Sequence, residues 1–166
     1  MKTFIAIMFL ISFSNSWEHP SPMGDRFFGF QLSVGDTGNI FSSLATSHRA
    51  GGSIATLDLA WDEIEDSSGN LADPYMQIKY ANIMYKYYPM KVIVILKSID
   101  TDTNRVPMPL KELPMQDSLV ITRYLRAADY VLSGLPDVNI HAFVIGNETD
   151  NYLKTHSTKW SEYKAF

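Results

Sequence analysis

The stretch Lys91-Val92-Ile93-Val94-Ile95-Leu96 (KVIVIL) decides how the rest of the chain is read. It is continuously apolar and β-branched at its centre, as a strand covered on both faces should be. Working outward, three more runs have the same character: residues 27–32 (FFGFQL), 54–59 (IATLDL) and 138–145 (VNIHAFVI). Segments of helical spacing separate them. Residues 39–50 place Ile40, Leu44 and Ala45 on one face and stop at Gly51-Gly52, a helix C-terminal signal. Residues 74–88 begin with Pro74 in the first turn behind Asp73 as N-cap. Residues 116–132 carry Leu119, Ile121, Leu125, Ala128 and Val131 and end at Ser133-Gly134. Residues 146–151 read as a polar loop, and residues 158–166 open a fourth helix.

The order is strand and helix, four times over. Such alternation implies an α/β fold with a parallel sheet and right-handed crossovers. Two architectures satisfy it: an open doubly wound sheet, or the first four units of a closed (β/α)8 TIM barrel. Periodicity does not choose between them. Gly35, Gly38, Gly51 and Gly52 form no G-x-G-x-x-G, and no phosphate-binding G-x-x-x-x-G-K-[ST] occurs. A full barrel takes about 250 residues, so four units in 17–166 amount to a partial barrel.

Composition bounds the function. The 166 residues are 46% hydrophobic and 19% charged, which is ordinary for a globular domain. Net charge is −4 and no basic stripe is present, so nucleic acid is not an expected partner. There is no cysteine, which excludes disulfides, thiol nucleophiles and cysteine metal sites. At the N-terminus, Lys2 precedes an apolar run over residues 4–13, then Ser14-Asn15-Ser16 offer small residues before Trp17. That three-part pattern is a secretory signal peptide over residues 1–16, so the mature protein is expected outside the cytoplasm. The run is about half the length a membrane span requires, so no membrane anchoring is expected.

In parallel α/β folds, chemistry sits where the strands end. Strand one is followed by Ser33, Gly35 and Asp36. Strand two ends in Asp58-Leu59-Ala60-Trp61-Asp62, strand three in Lys97-Ser98-Ile99-Asp100, and strand four in Gly146-Asn147-Glu148-Thr149-Asp150. Carboxylates and amides gather on one rim. Hydrolysis of a glycoside needs a carboxylic acid that protonates the leaving oxygen and a second carboxylate about 5–5.5 Å away in retaining enzymes. A Glu just past an apolar strand, with an amide beside it for a sugar hydroxyl, makes sense as one half of that pair. The same dipeptide also occurs as an ordinary loop or N-cap.

The segment Trp61-Asp62-Glu63-Ile64-Glu65, then Gly69-Asn70-Leu71, the second helix, KVIVIL, and a fourth strand closed by Asn147-Glu148 resembles the clan A glycoside hydrolases. The resemblance covers residues 27–166. It implies a (β/α)8 barrel in which Glu148 is the catalytic acid/base and Asn147 binds the hydroxyl next to the anomeric carbon. Trp61 and Glu65 match that clan's stretch after strand two as rim and packing residues, with Trp61 a sugar platform. Asp58 and Asp100 join them as cleft residues. The substrate implied is an oligo- or polysaccharide, with no cofactor and no metal. Two departures stand out: Thr149 occupies the place where Pro is common, and the clan's nucleophile, a second Glu after the seventh strand, has no counterpart here. A non-catalytic half-barrel that binds carbohydrate or a partner is the alternative, and it would cover its open strands by self-association.

Other motifs carry less. Asp100, Asp102 and Asn104 resemble the start of a calcium loop but lack its Gly and Glu. No H-x-x-x-H occurs, and His141 inside strand four reads as a hydrogen-bonded structural residue. No G-x-S-x-G elbow occurs, which argues against an α/β-hydrolase.

Overall fold

The computed structural model describes residues 27–32 and 39–166. The leader expected at residues 1–16 and the expected rim residues Ser33, Gly35 and Asp36 lie outside the described residues. In chain order the elements are β1 (Gly29–Phe30), α1 (Ile40–Arg49), β2 (Ile54–Ala60), α2 (Trp61–Ile64), α3 (Gln77–Tyr87), β3 (Lys91–Lys97), β4 (Ile99–Asp100), β5 (Thr103–Asn104), α4 (Ser118–Ser133), β6 (Asn139–Val144), α5 (Thr149–Thr155) and α6 (Trp160–Ala165). Four strands form one parallel sheet in the order β1-β2-β3-β6, while β4 and β5 make a small antiparallel hairpin.

Each strand of the main sheet pairs with the one that precedes it in the chain. The order never reverses, whereas a doubly wound sheet reverses at its switch point. Crossovers of one hand that always step in one direction put their helices on one face. The burial along β3 agrees with that. Val92, Val94 and Leu96 are 0% exposed, while Lys91, Ile93, Ile95 and Lys97 are only half-buried. Alternate residues of a strand face opposite sides, so one face of the sheet is sealed and the other is partly open. The expectation of a strand covered on both faces therefore holds for one face only. An unbroken apolar run hides this difference.

The sealed face carries the core. Leu44 of α1, Ile78, Ala81, Met84 and Tyr85 of α3, and Val120, Tyr124, Ala127 and Val131 of α4 join Ala55, Leu59, Val92, Val94 and Leu96 in one cluster. These helical residues recur at three- and four-residue intervals, which puts them on one stripe. The caps follow from the sequence. Asn39 accepts from the Phe41 amide at 2.9 Å and Asp117 from the Leu119 amide at 2.8 Å. α3 starts later than the Pro74 reading placed it. Met76 has φ 53°, in the left-handed region, and the helix begins after it. The Asp73 carboxylate spans that break and accepts from the amides of Gln77, Ile78 and Lys79 at 2.8, 3.0 and 3.1 Å. One side chain thus satisfies three of the orphan donors of the first turn.

Two further readings are corrected. The segment read as a loop at 146–151 already contains the first residues of α5. His141, read as a hydrogen-bonded structural residue within the strand, is exposed. The β3–β6 pairing jumps from Val92↔Ile140 to Ile93↔Ala142, which leaves His141 at an irregularity, its ring edge-on to Phe27 at 4.9 Å.

The acidic stretch after β2 is tied down from within. Glu65 is fully buried, and its Oε2 accepts from the Trp61 indole at 2.7 Å. Its Oε1 accepts from Arg123 Nε at 2.6 Å and Arg126 Nη2 at 2.8 Å, both on α4. Removing one partner of such a buried set leaves the other charges uncompensated. Glu65→Ala is expected to destabilise the fold by about 3–5 kcal/mol, read as a lower midpoint in urea unfolding. An unchanged midpoint would mean that water replaces the carboxylate at no cost.

Candidate functional site

β3 does not stop at Lys97. After Ser98 its path continues as β4 and stays beside the chain leaving β6. Ser98 Oγ donates to the Ile145 carbonyl at 2.7 Å, the Asn147 amide to the Ile99 carbonyl at 2.9 Å, and the Thr101 amide to the Asn147 carbonyl at 2.9 Å. Asp100 and Asn147 form an isolated parallel bridge. Gly146 is needed here, because a Cβ at that position would lie 2.5 Å from Thr149 Cγ2 and 3.0 Å from the Tyr163 hydroxyl. The backbone therefore brings the ends of the third and fourth main-sheet strands to one point.

The side chains at that point are connected. Asn147 Nδ2 donates to Asp100 Oδ1 at 3.0 Å, and Lys97 Nζ lies 2.8 Å from Asp100 Oδ2. Thr101 Oγ1 donates to Glu148 Oε2 at 3.0 Å. Thr101 and Glu148 both have positive φ, 58° and 47°. A β-branched residue in that region is an outlier, and such strain collects at functional sites. The Glu148 side chain is exposed and free to meet a ligand from solvent.

The rim carboxylates differ in their settings. Burial works to raise the Asp100 carboxyl, but hydrogen bonds from Lys97 and Asn147, with the charges of Lys97 and Arg105, outweigh it and hold it below the usual range. Burial pushes the Asp62 carboxyl up against the charges of Arg105 and Lys111, with Glu63 adding to the rise. Arg105 Nε lies 3.4 Å from Asp62 Oδ1, and its Nη2 lies 2.8 Å from Glu63 Oε1. The Asp100-x-Asp102-x-Asn104 spacing is a hairpin turn, in which Asp102 accepts from the Thr103 hydroxyl and Asn104 from the Val106 amide.

Of the residues expected from the sequence, Asp100, Asn147 and Glu148 are brought together. Trp61 is a correction. It is 0% exposed, its N–H is bonded to Glu65 and its ring packs edge-on to Tyr124 at 5.0 Å, so it has no face to offer a sugar. Asp58 stands elsewhere. Its Oδ2 accepts from the Thr56 hydroxyl at 2.9 Å, and its charge is felt by Tyr85 rather than by the Glu148 cluster. Lys97 and Thr101 are the members that sequence reading missed. The Lys97–Asp100 spacing of three residues was the available signal, but it reads as a salt bridge only once the turn at Ser98 is known. Comparisons with protein-family models, with curated proteins and with solved structures found no match.

The Asp100 setting has a pH consequence. A carboxylate whose folded value is depressed keeps its bonds above its usual value and loses them as pH falls through the folded one. The Asp100–Asn147 contact is therefore expected to persist at pH 3.8, the ordinary aspartate value, and to open below it. The Asn147 side-chain amide signals in an NMR titration should move in that acid window, and Asp100→Asn should abolish the movement. Movement centred above the ordinary value would contradict the geometry.

Proposed function

We propose that this chain carries the acid/base side of a retaining glycoside hydrolase site, built on the first four units of a (β/α)8 barrel and exported by the leader at residues 1–16. The observation that supports it best is the junction of Asn147 and Glu148 with Asp100, at the end of a parallel sheet whose strands follow chain order. In this reading Glu148 gives its proton to the leaving oxygen and later takes one from the attacking water. Thr101 suits both steps, because a hydroxyl donates to a carboxylate and accepts from a carboxylic acid. Asp100 fixes the Asn147 amide by its oxygen partner, and the rest of that amide's hydrogen-bonding capacity is left for a sugar hydroxyl. The second carboxylate would come from outside these four units. No cofactor is needed for this chemistry.

A second reading, carbohydrate or partner binding without cleavage, is favoured by one observation. The other rim carboxylates are already engaged, Asp100 by Lys97 and Asn147, and Asp62 and Glu63 by Arg105. The deciding experiment assays the secreted protein on a panel of aryl glycosides and oligosaccharides, with Glu148→Gln alongside. Turnover is expected to fall by about 10²–10⁴ in the variant, with binding retained. Hydrolysis that survives the substitution sinks the proposal. Binding without hydrolysis in either protein would support the second reading.

A further inference from the structure

A second concavity lies beside β2, and its lining among the described residues shares no member with the Glu148 cluster. β1 pairs with only the first two residues of β2, Ile54 and Ala55. Beyond that pairing, the residues just after β1, the middle of β2, the start of α1 and one flank of α3 border a cavity of about 600 Å³. That volume lies within the range of small-molecule sites, about 300–1,000 Å³. Its walls are mostly apolar, with Leu57 and Met84 among them. Two lining tyrosines reach solvent, Tyr75 at 64% exposure and Tyr80 at 43%.

One wall is polar. There the Thr56 hydroxyl donates to Asp58 Oδ2 at 2.9 Å, and the Tyr85 hydroxyl donates to the Thr56 carbonyl at 3.3 Å. Burial, and then the Asp58 charge, push the Tyr85 phenol up to about 12, so it remains a donor at any physiological pH. Among the described residues no Lys, Arg or His lines the cavity, and Asp58 holds the one formal charge around it.

These features select a ligand by charge and surface. An anion would meet an uncompensated carboxylate in an apolar setting, at a large desolvation cost. A neutral apolar molecule would fill the walls and leave Asp58 without a counter-ion. A cation on an apolar body satisfies both, and tyrosine faces add attraction for it. We infer that this cavity binds a small organic cation, an ammonium group on an aryl or alkyl body, with Asp58 as its counter-ion. The inference does not depend on the hydrolase reading, since it uses neither Glu148 nor Asn147.

The test titrates the full chain, by calorimetry or NMR, with 2-phenylethylammonium, the neutral 2-phenylethanol and the anionic 3-phenylpropanoate. The ammonium is expected to saturate the site. The alcohol should bind at least about tenfold more weakly, and the carboxylate should not bind. Asp58→Asn should erase the preference for the ammonium over the alcohol. Tyr80→Ala, at a partly exposed position on α3, should weaken the ammonium severalfold with circular dichroism unchanged. Should Asp58→Asn fail to fold, the three ligands and Tyr80→Ala still decide. Equal affinity for the ammonium and the alcohol, indifference to both substitutions, or absence of saturable ammonium binding would each overturn the inference.

Discussion

The pairing of β3 with a neighbour on each side is the constraint on which the other elements depend. Its residues run in unbroken register with β2 from Ile54↔Lys91 to Ala60↔Lys97, and pair with β6 from Lys91↔Asn139 to Ile95↔Val144 across one shift between Val92 and Ile93. Because Val92, Val94 and Leu96 fall on one side, α3 and α4 have a continuous apolar ridge to cover. Tyr124 of α4 is fixed to that ridge by its hydroxyl, which donates to the Leu96 carbonyl at 2.7 Å. The same strand path, prolonged through Ser98 into β4, sets where Asn147 meets Asp100. Strand pairing and site geometry are two ends of one hydrogen-bonded ladder.

The fold was legible where the sequence carries period and punctuation together. KVIVIL, IATLDL and the segments around α1 and α4 appear within a residue or two of their expected bounds, because apolar spacing and caps such as Asn39 agree there. The start of α3 was not legible, because Pro74 and Asp73 imitate a helix opening while the chain turns through a left-handed Met76 first. The hairpin after β3 was also hidden. Its strands are two residues each, below any length at which alternation can be read. At the site, Asp100, Asn147 and Glu148 could be named from their places after strands. Trp61 departs from its expected place for a physical reason: the resemblance of its stretch implies a rim aromatic, but the Glu65 carboxylate that buries with it takes up its indole N–H.

The WDEIE stretch itself turns out to be a clamp. Within five residues it directs Asp62 and Glu63 toward Arg105 by the hairpin, and Glu65 toward Arg123 and Arg126 on α4. Arg105 on one hand, and Arg123 with Arg126 of α4 on the other, thus hold one short helix and its C-terminal cap. Such charge sets are poor sources of net stability but strong against rearrangement, since any shift would strand a charge away from water. That fixes the end of β2 relative to α4, while the neighbouring ladder fixes the end of β3 relative to β6. The Asp62, Glu65 and Asp100 carboxylates on this rim are tied to cations and are at least half-buried, while Glu148 is exposed and its side chain accepts from the Thr101 hydroxyl.

The sequential strand order bears on how the molecule is made. Each strand finds its partner one βα unit earlier in the chain, never across the whole sheet. Contacts of modest sequence separation close with less entropy loss and form faster than long-range ones. A chain emerging from a ribosome N-terminus first could add each new strand to a growing edge. β2 would present that edge before β3 is translated, and β3 before β6. Assembly by accretion of this kind always leaves one live edge until the next unit arrives, so the order of synthesis and the order of the sheet are the same list.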